Sequence, residues 1–335
     1  MKMKLILQML VLSSLLLFFS CAEEDSNFIP ISENEVYAGD TNLETLLNEL
    51  KPEANERPSS VFEFEYANSQ VIPTDFGFSP TTEDGVLFDL TPYSFYNRQE
   101  ELYRGPGTVR LEYLNTPEAF IRNGLSTMSY DGELLDLDFA VRLIFEDDRG
   151  YRLGLGESGM PIVLRSEGLF LSEDVYTLTD VRNYPYDWDV HPDKEDMEFE
   201  SFVKQINGST VYEYKMTMFD NSWLAFGKKS LHESFKTFCI QPGEALDDSD
   251  KTMAFAVLSD SENQIVHFTK SEEASGFCTD SYPDNALVTM VACSMDNYVD
   301  FYYTDDLLRN IPGNNLEISQ EVSGIEEIVR RLSAI

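Results

Sequence analysis

Residues 198–219 read EFESFVKQINGSTVYEYKMTMF, two runs rich in β-branched and aromatic side chains held apart by Asn207-Gly208. Both of those residues tolerate positive φ, which a two-residue hairpin turn demands, so the stretch predicts two adjacent antiparallel strands. One hairpin fixes little by itself, but the same grammar runs through the chain. In VFEFEYA (61–67) apolar and acidic side chains alternate, the period-two mark of a strand with one wet face. Comparable runs follow at GVLFDL (85–90), TVRLEYL (108–114), LDLDFAVRLIFED (135–147), YRLGL (151–155), PIVLR (161–165), FKTFCIQ (235–241), KTMAFAVLS (251–259), QIVHFTK (264–270), ALVTMVAC (286–293) and NYVDFYYT (297–304). Turn signals such as Asp131-Gly132, Asp148-Arg149-Gly150 and Pro242-Gly243 separate them. Many short strands with loops of this kind predict an all-β fold of antiparallel sandwiches or barrels.

Two segments read as helix instead. TNLETLLNEL (41–50) sets Leu43, Leu46, Leu47 and Leu50 on one face after an Asn42 cap, a short helix able to dock on the body. At the other end Ile325, Ile328, Val329, Leu332 and Ile335 recur at helical spacing. Ser323 and Glu326 form a capping-box pattern there, and Glu326 with Arg330 and Glu327 with Arg331 stand four apart on the wet face.

The first residues carry an address. Met1-Lys2-Met3-Lys4 and the apolar run Leu5 to Phe19 have the layout of a secretory signal, too short for a bilayer span. The run ends in Leu17-Phe18-Phe19-Ser20-Cys21, which resembles a bacterial lipobox with Cys21 as the acylated residue. Each buried acyl methylene contributes about 0.8 kcal/mol, so several chains hold a protein on a membrane almost irreversibly. The acids after it, Glu23, Glu24 and Asp25, resemble the surface-export signal of Bacteroidota lipoproteins, so the expected location is the outer membrane with the body exposed to the medium.

The chain has 24 basic and 60 acidic residues, a formal net charge of −36. A field of that sign repels phosphate backbones, which excludes nucleic acid as a partner; no cofactor is expected, though the field could attract calcium loosely. In an oxidising compartment, Cys239, Cys278 and Cys293 allow one intrachain disulfide and one free thiol. Cys278 lies in a loop-like stretch and is the common partner, with either Cys293 or Cys239, for a stabilisation of roughly 3 to 4 kcal/mol.

Chemistry-bearing patterns are sparse. GESGM (156–160) lacks the second glycine and the strand-turn-helix setting of a nucleophile elbow and reads as a turn. His191, His232 and His267 fall in no H-E-x-x-H arrangement, and no cysteine pair has zinc-ribbon spacing. The most unusual patch is NYPYDWDVHPDKED (183–196). In an extended chain Asp187, Asp189 and His191 share one face and Tyr186, Trp188 and Val190 the other. One reading is a ligand loop, with Tyr184, Tyr186 and Trp188 stacking on a sugar and Asp187, Asp189 and His191 as weak metal ligands. The other is an acidic connection whose Trp188 plugs a core edge.

Residues 90–136 carry Thr91-Pro92 to Phe95, then Gly107-Val109-Leu111, then Gly124, Thr127, Gly132, Leu134 and Leu135. That order resembles a domain of uncharacterised Bacteroidota cell-surface lipoproteins, and its opening is similar to ZU5-like β-sandwich modules. FDNSWLAFG through KTFCIQPG to the last helix is similar to the C-terminal half of the same family. The resemblance implies binding or assembly without catalytic residues.

The expected organisation is therefore a signal peptide at 1–20, an acidic tether at 21–58, a β-sandwich domain at 59–205 (ZU5-like by the resemblance) and a second β domain at 206–335 ending in the amphipathic helix. The expected role is a non-enzymatic, membrane-anchored module binding a glycan or protein, or serving envelope assembly. The competing expectation is a carboxylate-dependent hydrolase acting on polysaccharide or peptide, for which two acids must converge in one cleft.

Overall fold

The Asn207-Gly208 hairpin forms as its sequence demands: β12 (Glu200–Ile206) pairs antiparallel with β13 (Ser209–Met218), with Ile206 opposite Ser209. The computed structural model describes residues 46, 49–50, 59–67, 70–73, 87–90, 95–156, 159–167, 174–178, 186–190, 200–206, 209–218, 222–232, 234–242, 252–259, 263–271, 276–284, 286–296, 300–309, 315–318 and 321–334. The signal segment, Cys21 and the acids that follow it lie outside them. The described chain is mostly strand, an all-β fold.

Four sheets make two sandwiches. In the first, eight strands run in the order β2 (Gln70–Pro73), β1 (Ser59–Ala67), β5 (Gly107–Leu114), β7 (Leu135–Asp147), β14 (Leu224–Lys229), β10 (Asp174–Leu178), β11 (Tyr186–Val190) and β6 (Leu125–Ser129). Four strands, β12, β13, β9 (Met160–Glu167) and β3 (Leu87–Leu90), cover one face. Val109, Leu111, Phe139, Val141 and Phe226 of the large sheet meet Met160, Ile162, Met216 and Met218 of the small one. The second sandwich packs β17 (Ile265–His267), β16 (Thr252–Leu258), β20 (Leu287–Asp296), β21 (Asp300–Arg309) and β23 (Glu321–Ser323) on β18 (Thr269–Lys270), β19 (Phe277–Pro283), β15 (Phe235–Pro242) and β22 (Asn315–Ile318). Phe238, Ile240, Phe268 and Phe277 fill that core against Ala254, Ala256, Val288, Met290 and Ala292. Pairing is antiparallel except between β11 and β6 and between β15 and β22.

A third core joins the two. The far face of the eight-stranded sheet, with Leu137, Ala140, Tyr176 and Trp188, and the far face of the five-stranded sheet, with Met253, Phe255, Val291 and Cys293, belong to one apolar cluster. Helices close it. In α1 (Pro117–Arg122) the Thr116 hydroxyl accepts the Ala119 N–H at 3.3 Å, Pro117 sits where no N–H is needed, and Gly124 at φ 71° ends the helix. Its Phe120 and Ile121 are buried in the shared core with Ile328 and Leu332 of α2 (Ile325–Leu332). Leu46 and Leu50 are helical and fully buried there, as the docking-helix pattern predicted, while Leu43 and Leu47 lie outside the described residues. Arg122 Nε donates to the Leu50 carbonyl at 2.8 Å, and the Ser333 hydroxyl donates to Glu118 at 2.8 Å, so the segment at Leu50 and the end of α2 are both latched to α1.

Two expectations change. α2 is capped by Gly324 with no side-chain hydrogen bond, so the Ser323 box does not form, and Glu327 takes both Arg330 and Arg331. The division expected between 205 and 206 falls inside β12, and β13 and β14 complete the first sandwich. The hairpin itself forbids a boundary there, because a two-residue connection keeps its strands in one sheet. The strands change partners after Lys229, and the described residues all belong to one compact unit.

Candidate functional site

The sandwiches meet where two sheet edges, β6 and β17, run side by side. No backbone ladder joins them; side chains take its place. The Thr127 hydroxyl accepts the Ile265 N–H at 2.8 Å and donates to the Ile265 carbonyl at 3.3 Å, satisfying both polar groups of one residue. Next to it the Ser126 hydroxyl accepts the Met128 N–H at 3.3 Å and lies 2.9 Å from His267 Nδ1. Trp188 Nε1 donates to the Ser126 carbonyl at 2.7 Å.

A serine hydroxyl against an imidazole is the start of a nucleophile–base pair, so its chemistry has to be weighed. Ser126 and His267 are both buried, and burial pushes the His267 pKa down to about 4. An imidazole that sheds its proton so readily is a weak base at neutral pH, and a nucleophile enclosed beside Trp188 meets no substrate. The pair is cohesive: it holds β6 to β17.

Above this seam the surface changes character. Gln264 is buried, its Nε2 donating to the Ser230 hydroxyl at 3.1 Å and its Oε1 facing His232 Nε2 at 3.0 Å. The Ser230 N–H donates to the Leu134 carbonyl at 2.9 Å and Lys229 pairs with Glu133, which sets the 230–235 connection against the Ser129–Glu133 turn. From these two segments project Tyr130, 71% exposed, Leu231, 85% exposed, and Phe235, 42% exposed, with the His232 ring edge-on to Phe235 at 6.3 Å. Asp131 and Glu133 stand exposed in the same turn. Aromatic faces, an imidazole and carboxylates thus project from two segments that the Ser230–Leu134 and Lys229–Glu133 contacts tie together.

Of the patch singled out from sequence, Trp188 and Asp189 can be placed. Trp188 is completely buried in the shared core and offers no face to a sugar, whereas Asp189 is exposed. Trp188 and Asp189 thus lie on opposite sides, and Trp188 plugs the core. Tyr184 and His191 lie outside the described residues, Tyr186 and Asp187 are strand residues whose side chains are not among them, and no group of three His, Cys, Asp or Glu among the described residues is placed to hold a metal ion. The disulfide is Cys239–Cys278, joining register partners on β15 and β19, and Cys293 is the free thiol, buried in the shared core and pushed up to about 12. Gly159 N–H donates to the Gly156 carbonyl at 2.9 Å, so GESGM is the turn expected of it. Among the described residues no helix is long and apolar enough to cross a membrane.

A buried carboxylate of the first sandwich is also occupied. Glu112 of β5 accepts from Arg142 of β7, its register partner, at 2.9 Å, and Arg110 donates to Glu146 at 3.3 Å. The Arg142 guanidinium lies 4.7 Å from the centre of the Trp223 ring. No family model, curated protein or solved structure matches this chain.

Proposed function

We propose that this protein is a non-enzymatic binding module, anchored through Cys21 at the outer face of an outer membrane, whose seam surface takes a neutral glycan. The observation that carries the reading is the exposure of Tyr130, Leu231 and Phe235 on two segments tied to each other by hydrogen bonds, with His232 against Phe235. Large apolar side chains scattered singly on a surface need no explanation, but a group of them on a preorganised support is what a ligand surface requires. The flat ring faces suit the C–H faces of a sugar, while the Asp131 and Glu133 carboxylates suit its hydroxyls. Charged residues interrupt the apolar area too often for an amphipathic helix to dock there. A net charge of −36 disfavours uronate or sulfate polymers, which narrows the class to neutral glycans. The acids after Cys21 support the outward face, because they resemble an export signal.

The test is binding of neutral oligosaccharides, by glycan array and then calorimetry, to the wild type and to Tyr130→Ala and Phe235→Ala. Both residues are exposed, so the variants should keep the wild-type unfolding midpoint and lose at least tenfold in affinity. Equal binding by all three proteins, or retention of uronates alone, overturns the glycan assignment. Protease shaving of intact cells with a periplasmic control tests the location separately: cleavage supports the outer face and protection of the chain refutes it.

A further inference from the structure

The second sandwich holds a polar pair that the seam does not use. Thr252 of β16 stands directly opposite Ser294 of β20, one step from the Ala254–Ala292 pair. Met253 and Cys293 belong to the shared core and Ala254 and Ala292 to the core of the second sandwich. By strand alternation Thr252 and Ser294 therefore face the latter. Thr252 is 3% exposed and Ser294 0%, and neither hydroxyl has a hydrogen-bond partner among the described protein groups.

A hydroxyl withdrawn from water without a partner is costly, and native interiors leave very few of them. Two that face one another across a ladder, in the same core, are a single problem with a single solution. We propose that Thr252 and Ser294 together bind one internal water molecule. A water oxygen donates two and accepts two hydrogen bonds, and each hydroxyl does both, so the one molecule meets both side chains. The neighbouring pair on the same face, Ala254 and Ala292, carries small side chains. The valine-like methyl of Thr252 and the two alanine methyls place three reporter groups around the bound oxygen.

The experiment pairs stability with direct detection on the full chain. Thr252→Val and Ser294→Ala each delete one hydroxyl with little change in shape. If the pair binds water, each single variant lowers the thermal midpoint, by roughly 2–4 °C on the scale of about one lost hydrogen bond in a domain of this size, because the other hydroxyl is stranded. The double variant then falls no further than the lower single one. If the hydroxyls hold nothing, removing either one relieves an unmet group and the midpoint rises, which overturns the proposal. Water-to-methyl cross-relaxation in the wild type decides the remaining case. Signals from a long-lived water at the Thr252, Ala254 and Ala292 methyls support the site; their absence means the two hydroxyls bond each other directly, and the proposal fails even if a variant does not fold.

Discussion

Lowering the pH should loosen the seam through His267, by an amount the structure sets. The ring is buried between β6 and β17 and its pKa is held at about 4, against 6.5 for an exposed histidine. Between those two values the unfolded chain binds a proton that the folded chain refuses. Stability contributed by the neutral ring is therefore whole above about pH 6.5, falls as the pH drops, and is gone below about pH 4. The full loss is about 3 kcal/mol, and about 2 kcal/mol of it has gone by pH 5. Carboxylates titrate in the same range in a chain with 60 acids, so the wild type alone cannot isolate the term. His267→Asn keeps a polar atom near the Nδ1 position facing Ser126 and removes the titration. Urea unfolding of both proteins at pH 7.5, 6 and 5 should show the wild type losing about 2 kcal/mol more than the variant across the series. A constant difference within about 0.5 kcal/mol, or a His267 ring resonance titrating near its ordinary pKa, would show that the imidazole is not sealed in the seam and would refute the cohesive role.

The Cys239–Cys278 bridge closes a sequence separation of 39 residues, for which the chain-entropy model gives about 4 kcal/mol, so a double alanine variant should lower the urea midpoint accordingly; a loss under about 1 kcal/mol would assign the hold on β15 and β19 to their ladder instead. Gly227→Ala should cost about 1–3 kcal/mol, because a Cβ there would come within 2.5 Å of the Asp136 carbonyl oxygen and 2.8 Å of Leu137 Cα at the irregularity between β14 and β7, and unchanged stability would mean that the two strands separate easily at this point.

The strand grammar was legible because it is local. Period two needs only the residues of one run, and the Asn207-Gly208 turn needs only two, so β1, β5, β7, β12, β13, β15, β16 and β20 all stand where their patterns put them. α1 was missed although Thr116, Pro117 and Gly124 mark its ends, since its six residues are too few for helical periodicity to show. The seam was not legible at all. Thr127 finds Ile265 and Ser126 finds His267 across 138 and 141 residues of chain, and nothing in either short run signals the other. The turn that carries Tyr130 and the connection that leads to Phe235 are joined in the same way, through Ser230 and Leu134, so a surface built from them left no local trace.

Trp188 shows where the limit lies. Alternation separates Trp188 from Asp189 and assigns them to opposite faces, and the structure keeps that separation. Which face is wet depends on what covers it, and the cover comes from Leu137, Ile265 and the helices, far away in sequence. One strand did carry the missing information. In TMAFAVL, residues 252–258, every position is buried, so neither side alternates with polar residues. An antiparallel strand with one wet face reads polar at every second position, and one that does not must be covered on both sides. A core on each face of β16 follows from that run alone, and two cores on one sheet, in a chain with a second large sheet and amphipathic segments at both ends, mean sandwiches that share an interior rather than independent domains. The boundary after Lys229 is then a change of sheet within one body, and Leu231 and Phe235 stand exposed just beyond it, on the segment tied to the turn that carries Tyr130.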